Sequence, residues 1–342
     1  MKRSFAILAG LIFYQNLVFC QLNSRLDLEA GYFNIQNPVL SSEENLLMRA
    51  DGELSYDYSG DYSSFNTLAR IIPEWSGIET GMRSLKMGAK AGYSMQTEAS
   101  SYGITASAKR NLYKSYQPAI CHDVLSLQGD YTYNLSSESI LHLSPGYYRQ
   151  TINYESKQTT ENFMLNLAAE KSIYPGVTGE GGIYSELFSI REKSGSWPLQ
   201  KEKFVPGWKI GPEVNITFSG EVIAALQYRF LLVNSKSTEF PSNEQMVRFM
   251  AGVMPEENVS IMLLADYYWH KIKVIKGTSN DEVSILNYSS LNYENRVLLK
   301  IGYDVTEALE VYFRTGYSRE NLLNDTFSEK SWSLMFGLSF TK

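Results

Sequence analysis

The three histidines and two cysteines are the residues of this chain best suited to metal binding or nucleophilic catalysis. Cys121 and His122 are adjacent, but no second pair of ligands follows at the spacing that zinc sites use. His142 stands two residues before Ser144, and such a pair invites comparison with a Ser-His-acid hydrolase site. The glycine-framed turn that presents a nucleophilic serine is lacking, however. The sequence therefore predicts no catalytic residue, no metal site, no cofactor and no enzyme activity.

Charged residues indicate a different kind of site, a charged surface along strands, because many of them recur at every second position of long segments. Five basic residues toward the C-terminus form one set: Arg229, Arg248, Arg296, Lys300 and Arg314. Five acidic residues from the first part and the middle form another: Asp51, Glu53, Glu180, Glu186 and Glu213. If both sets line a water-filled pore, opposed charge sectors set a transverse field that selects polar solutes by charge and orientation. The alternative is that the charges pair with one another and tie the pore wall together.

Other polar residues share this spacing and belong to the same expected surface. The further basic candidates are Arg49, Arg70, Lys86, Lys90, Lys109 and Lys209, and the further acidic ones are Asp130, Glu170, Asp266 and Glu310. Four tyrosines at such positions would offer stacking faces to a saccharide: Tyr148, Tyr184, Tyr268 and Tyr312.

Strict alternation of apolar and polar side chains places these residues on β-strands. In residues 85–96 every odd position is apolar and every even position is polar or glycine. A period of two puts the two sets on opposite faces of a strand. The same period recurs in residues 127–134, 208–218 and 332–340, and the 24 tyrosines and 16 phenylalanines also favour strands. We expect strands of about ten to thirteen residues with one apolar face.

The breaks between strands alternate between short turns and longer polar segments. Short breaks fall near residues 59–61, 96–100, 136–138, 174–176, 219–220, 255–258 and 305–307. Longer breaks fall near residues 36–44, 73–83, 111–122, 151–160, 192–206, 234–244, 273–289 and 320–330. This rhythm predicts about sixteen strands, with both chain ends on the short-turn side. If residues 64–72 are not a strand and residues 25–34 form a tail, the count becomes fourteen.

Residues 1–20 have the form of a secretory signal. Lys2 and Arg3 precede an apolar run that is too short to span a bilayer as a helix. Cleavage after Cys20 releases a chain that begins at Gln21, and residues 21–342 are then a single barrel domain. The rival interpretation is that Cys20 carries a lipid as the first residue of a lipoprotein.

The predicted membrane location depends on how the chain after residue 20 could span a bilayer. After residue 20 there is no run of 18 or more apolar residues, and the mean hydropathy is -0.24. A bilayer can otherwise be spanned only by a closed barrel, because every backbone amide must be paired where water is absent. A soluble barrel of sixteen strands would leave its apolar belt in water. The predicted fold class is therefore all-β, a transmembrane antiparallel up-and-down β-barrel.

The net charge of -6 argues against binding nucleic acid, because a nucleic-acid binder usually presents a basic face to the phosphates.

Aromatic residues mark the expected membrane boundaries. Trp208 and Phe218 bracket one apolar face and are separated by about 23 Å of membrane height at a strand tilt near 45°. Aromatic rings prefer such interfaces. The predicted interfacial residues are Tyr58, Trp208, Phe218, Trp269, Tyr303, Trp332 and Phe340.

The signal segment, the alternating strands and the final segment 332–340 together resemble bacterial outer-membrane β-barrel proteins as a class. Phe340 is similar to the aromatic signal that the barrel-assembly machinery reads, although Thr341 and Lys342 follow it. The resemblance implies export to the outer membrane of a Gram-negative bacterium, with membrane lipid and the assembly machinery as partners. Residues 28–34 and 54–58 are also similar to poorly characterised barrels found near exopolysaccharide genes.

Two functions remain open at this point. The first is a porin-like channel for small hydrophilic solutes, in which residues 192–206 or 273–289 could fold inward as a constriction. The second is a non-conducting barrel with a structural, adhesion or polysaccharide-export partner role.

Overall fold

The computed structural model describes residues 20–36, 43–76, 82–114, 119–153, 157–194, 201–278, 295–321 and 328–342. Sixteen strands occur in these ranges. They are β1 (Cys20–Gln36), β2 (Glu43–Ser59), β3 (Ser63–Ser76), β4 (Met82–Gln96), β5 (Ser100–Tyr113), β6 (Ile120–Ser136), β7 (Ser139–Asn153), β8 (Lys157–Tyr174), β9 (Val177–Ser194), β10 (Lys201–Ser219), β11 (Val222–Ser235), β12 (Ser242–Glu256), β13 (Val259–Lys271), β14 (Asn295–Thr306), β15 (Leu309–Asn321) and β16 (Ser328–Thr341).

Each strand pairs antiparallel with its neighbours in the chain, and β1 pairs with β16 to close the barrel. The closing ladder runs from Arg25 opposite Thr341 to Gln36 opposite Lys330. The all-β up-and-down barrel and the count of sixteen strands are confirmed, and the count of fourteen is wrong because residues 64–72 pair on both sides within β3. Among the described residues, no helix is long and apolar enough to cross a membrane.

The short turns lie where the sequence predicts them, but most of the long connections are shorter than expected. The exception is residues 272–294 between β13 and β14, which exceed the expected 273–289. Only residues 195–200 separate β9 from β10, and only residues 154–156 separate β7 from β8. The strands are 12 to 19 residues long, because backbone pairing continues where the side chains of both faces are already polar. Cys121 and His122 accordingly lie in β6 and not in a connection.

The start of β1 and the end of β16 meet on the short-turn side. Cys20 pairs with Tyr58 at the start of β1, and the backbone of Ser24 exchanges two hydrogen bonds with Lys342 at 2.8 and 2.9 Å. The predicted signal segment lies outside the described residues up to residue 19, so its cleavage remains a prediction.

The outward face is apolar and the inward face is polar along the same strands. On β1, Leu26 and Leu28 are exposed on the outside, whereas Asp27 and Glu29 between them are buried inside. The seven predicted interfacial aromatic residues all lie on outward positions, and the rings of Tyr317 and Trp332 are 5.3 Å apart at one rim. Their contact with the membrane interface remains a prediction.

Two adjacent residues in the middle of β5 test which face meets lipid. Ala106 lines an outer groove of about 660 Å³, and Thr105 lines a cavity of the lumen. We expect Ala106→Arg to lower the free energy of unfolding by about 2–4 kcal/mol, since the charge would enter hydrocarbon. Thr105→Arg, the matched control, should cost far less because Asp130 is its diagonal neighbour across the β5–β6 pair. Urea unfolding in lipid vesicles measures both values, and equal losses would contradict the assignment of faces.

Candidate functional site

The inner wall carries the charged residues that the sequence singles out. All ten predicted lumen charges occupy inward positions, and the structure gives each of them a polar partner. They lie in ion pairs and hydrogen bonds that join neighbouring strands or reach across one intervening strand, with acidic and basic groups interleaved. The predicted transverse field between two opposed sectors is not tested by this arrangement and stays a prediction.

The first group of contacts lies across the seam where the barrel closes. Glu29 of β1 is 2.5 Å from Arg314 Nη2 of β15 and 3.2 Å from Arg49 Nε of β2. The Tyr312 hydroxyl also donates to Glu29, at 2.9 Å. Tyr312 reaches it by crossing β16 at Gly337, where an added Cβ would stand 2.3 Å from the ring. The glycine is needed here because the ring occupies the space of a side chain.

The second group continues from the seam onto β2, β3 and β4. Arg70 binds Asp51 through both carboxylate oxygens, the geometry in which arginine binds carboxylates most specifically. Arg49 lies 3.7 Å from Asp51 on the other side, and Glu53 is 4.0 Å from Arg70. Glu74 is 3.7 Å from Lys86.

The third group lies on β9 to β12 and is the most deeply buried. Lys209 Nζ is 2.9 Å from Glu244 and 3.9 Å from Glu186, and the three side chains are 8, 6 and 1% exposed. Arg229 binds Glu213 and places its guanidinium 4.0 Å from the centre of the Tyr184 ring.

Smaller pairs complete the wall. Asp266 accepts hydrogen bonds from Arg248 at 2.7 Å and from Arg296 at 2.8 Å. Lys300 donates to Glu310 at 2.7 Å. Asn215 donates to Glu180 at 3.0 Å.

Three of the carboxylate partners were not predicted from the sequence: Glu29, Glu74 and Glu244. A usable signal was present for Glu29, because it alternates with the apolar residues Leu28 and Ala30 on β1. What the sequence lacked was the register that brings Glu29 to Arg314, 285 positions away.

One side of the lumen is filled by large side chains. Phe188, Ile190, Val205 and Val233 form a buried cluster on the inner face of β9, β10 and β11, and Ile272 packs against it from the segment after β13. This segment also accepts a hydrogen bond from the Glu239 amide at the Lys273 carbonyl. The predicted constriction at residues 273–289 thus begins against the inner wall, but residues 279–289 lie outside the described residues, as do residues 195–200 of the other candidate.

The opposite side of the lumen is open. A cavity of about 750 Å³ is lined by short side chains of β5 and β6, among them Thr105, Ser107 and Ser126. A second cavity of about 430 Å³ lies toward the long-connection end, between β1 to β5 and β14 to β16. Both cavities are lined by Arg70, Ile72, Lys86 and Arg296, so they adjoin along the barrel axis.

The histidines lie in polar surroundings. His122 is buried and shares a hydrogen bond of 2.6 Å with Gln150. His142 Nε2 is 3.4 Å from Glu170. In the part of the chain that the structure describes, no group of three or more His, Cys, Asp and Glu side chains could hold a metal ion.

Comparison with known proteins adds fold likeness only. No protein-family model and no curated protein matches the chain. The closed sheet with its apolar exterior decides the class. The chain has the architecture of a bacterial outer-membrane β-barrel protein.

Three solved structures are similar to this barrel. The monoaromatic hydrocarbon channel CymD is 11% identical, with 94% of this chain and 88% of that chain covered and a TM-score of 0.41. OmpT, an outer membrane protein of Vibrio cholerae, is 10% identical over 94% of this chain and 97% of that chain, with a TM-score of 0.40. OccK11 from Pseudomonas aeruginosa is 10% identical over 94% and 95%, with a TM-score of 0.39.

The contacts of Glu29 at the seam indicate that replacing this residue should destabilise the barrel strongly. We expect Glu29→Gln to lower the free energy of unfolding by about 3–5 kcal/mol, because it removes a buried carboxylate and leaves the partly buried Arg314 without it. Glu202→Gln is the control: its partner Lys193 lies 3.4 Å away, and both side chains are nearly half exposed. Loss of such an exposed pair should cost less than about 1 kcal/mol. Urea unfolding in vesicles compares the two, and similar losses would contradict a stabilising role for the seam contacts.

Proposed function

We propose that this protein is a porin-like channel for small hydrophilic solutes in the bacterial outer membrane. The observation that carries the proposal is the pair of adjoining cavities on one side of the lumen. They follow the barrel axis along β4, from Ser84 in the smaller cavity to Lys90 in the larger. A polar path of this kind suits solutes that must stay hydrated while they cross.

The size of the barrel supports the same function. Barrels of sixteen to eighteen strands are wide enough to leave an aqueous channel between their inner side chains. Here large side chains occupy the inner face of β9 to β11, whereas Thr105, Ser107 and Ser126 leave room on the other side. The path is therefore expected to be off-centre.

Export and assembly belong to the same proposal. Residues 1–20 would be removed as a signal peptide, or Cys20 would carry a lipid in the rival arrangement. Strand β16, with Phe340 near its end, would be the segment that the barrel-assembly machinery reads. Membrane lipid would cover the outer face, and no catalytic role is proposed.

The alternative is a non-conducting barrel whose partner role is structural, adhesive or in polysaccharide export. The buried group of Lys209, Glu186 and Glu244 favours it, because such contacts lend the wall stability and close part of the lumen.

Conductance in a planar lipid bilayer separates the two functions. We expect the mature chain to produce stable steps, and Ser107→Tyr to lower their size by roughly half, because the ring would project into the larger cavity. The control is Ala108→Tyr, which places the same ring on the outward face of the same strand and should leave the steps unchanged. A correctly inserted wild-type barrel that stays silent would contradict the channel and favour the alternative.

A further inference from the structure

Four basic residues surround a position that has no side chain. Gly88 of β4 lies opposite Arg70 of β3 and opposite Lys109 of β5. Lys86 and Lys90 stand two residues before and after it on the same inward face. Diagonal neighbours in such a sheet are about 7–8 Å apart between Cα atoms. The four side chains therefore form a basic cross around Gly88, near the middle of the barrel wall.

The centre of the basic cross is open. A Cβ added at Gly88 would meet only Lys109 Cγ at 3.6 Å and the Ala108 carbonyl oxygen at 3.7 Å, which are ordinary contacts. All four basic residues line the larger cavity. A solute in this cavity can thus approach the backbone of β4 between the cationic groups.

The positive charge of the basic cross is only partly neutralised. Arg70 is bound by Asp51, and Lys86 has Glu74 nearby. Among the described residues, no ion pair joins Lys90 or Lys109 to a carboxylate, in contrast to Lys209 and Lys300 in the same lumen.

The strand register explains why these two lysines lack an acidic partner. Lys90 lies opposite Leu68 on β3 and Ser107 on β5. Lys109 lies opposite Gly88 on β4 and Val124 on β6. None of these four neighbours can carry a negative charge.

Basic residues outnumber acidic ones in the lining of the cavity as a whole. Its lining contains two acidic residues, Glu53 and Asp130, against five basic ones. Glu53 lies 4.0 Å from Arg70, and Asp130 accepts a hydrogen bond from Gln128 at 2.9 Å. The fifth basic residue is Arg296, which faces the cavity from β14 and donates to Asp266 at 2.8 Å, so the two lysines carry the bias.

We propose that the basic cross makes this barrel selective for small anionic solutes that carry carboxylate or phosphate groups. Positive charge in a narrow lumen raises the local concentration of anions. The lysine ammonium groups are strongly hydrated and donate without the fixed fork of arginine, so an anion is held weakly enough to leave again. Hydroxyl groups of Thr105, Ser107 and Ser126 add donors along the path. The inference rests on the channel function proposed above.

Ion selectivity of single channels tests the proposal. In a potassium chloride gradient near 0.1 M, where charges act over about 10 Å, the wild type should prefer chloride to potassium. Replacing both lysines, Lys90→Gln with Lys109→Gln, should lower that permeability ratio by roughly threefold. Lys90→Glu with Lys109→Glu should reverse the preference. The control, Lys193→Gln with Glu202→Gln, removes an exposed ion pair on the outward face at constant net charge and should keep the wild-type ratio.

Added succinate and inorganic phosphate distinguish the two kinds of anion. Either salt should compete with chloride and lower its current in the wild type and the control, but much less in the double Gln variant. Competition by one salt alone would narrow the solute to carboxylates or to phosphates. A double Gln variant that conducts with the wild-type ratio would overturn the anion path and leave the channel intact. A silent wild type would overturn the channel itself, and the inference with it.

Discussion

The ladder of backbone hydrogen bonds between β1 and β16 is the constraint on which the rest of the structure depends. A strand edge left open in hydrocarbon would expose amides that nothing there can satisfy. Pairing from Arg25 to Gln36 with the last strand removes both edges at once. Closure also fixes which face of every strand is inside, so the alternation of Leu26, Asp27, Leu28 and Glu29 becomes a division between lipid and lumen.

The interior contacts depend on that closure. Glu29 meets Arg314 and Tyr312 only because β1 and β15 flank the same strand, and Gly337 leaves the space through which the tyrosine passes. A carboxylate buried at this position without both partners would be costly. Backbone pairing and side-chain pairing thus occur together at the seam, where the first and last strands of a long chain meet.

Packing and the proposed conduction make opposite demands on the lumen, and each is met on a different side of this barrel. Large aromatic and aliphatic side chains with buried ion pairs lie on β9 to β12. Small hydroxyl residues and Gly88 lie on β4 to β6, where the wall leaves space. Charge follows the same division: Lys209 is enclosed by two glutamates, whereas Lys90 and Lys109 line the larger cavity.

Periodicity in the sequence was sufficient to predict the architecture but not the interior contacts. Residues 85–96 show their two faces directly, and the short turns give the strand count. The end of β7 and the start of β8 could not be predicted, because the outward side chains there are polar. Backbone pairing nevertheless continues up to the pair of Asn153 and Lys157. Partners such as Glu29 and Arg314 depend on register across the closed sheet, which no local pattern encodes. Whether Lys90 is paired depends in the same way on what β3 and β5 place beside it.

Reaction of introduced cysteines with a membrane-impermeant thiol reagent tests the division of the lumen most directly. In a Cys121→Ser background, Thr105→Cys lies in the larger cavity and Leu231→Cys lies in the filled side, where Leu231 is 4% exposed. We expect Thr105→Cys to react quickly and its conductance to fall on modification, while Leu231→Cys stays unmodified in an equally conducting barrel. Equal reaction rates at the two positions, or faster reaction at position 231, would contradict an open path on the side away from β9 to β11.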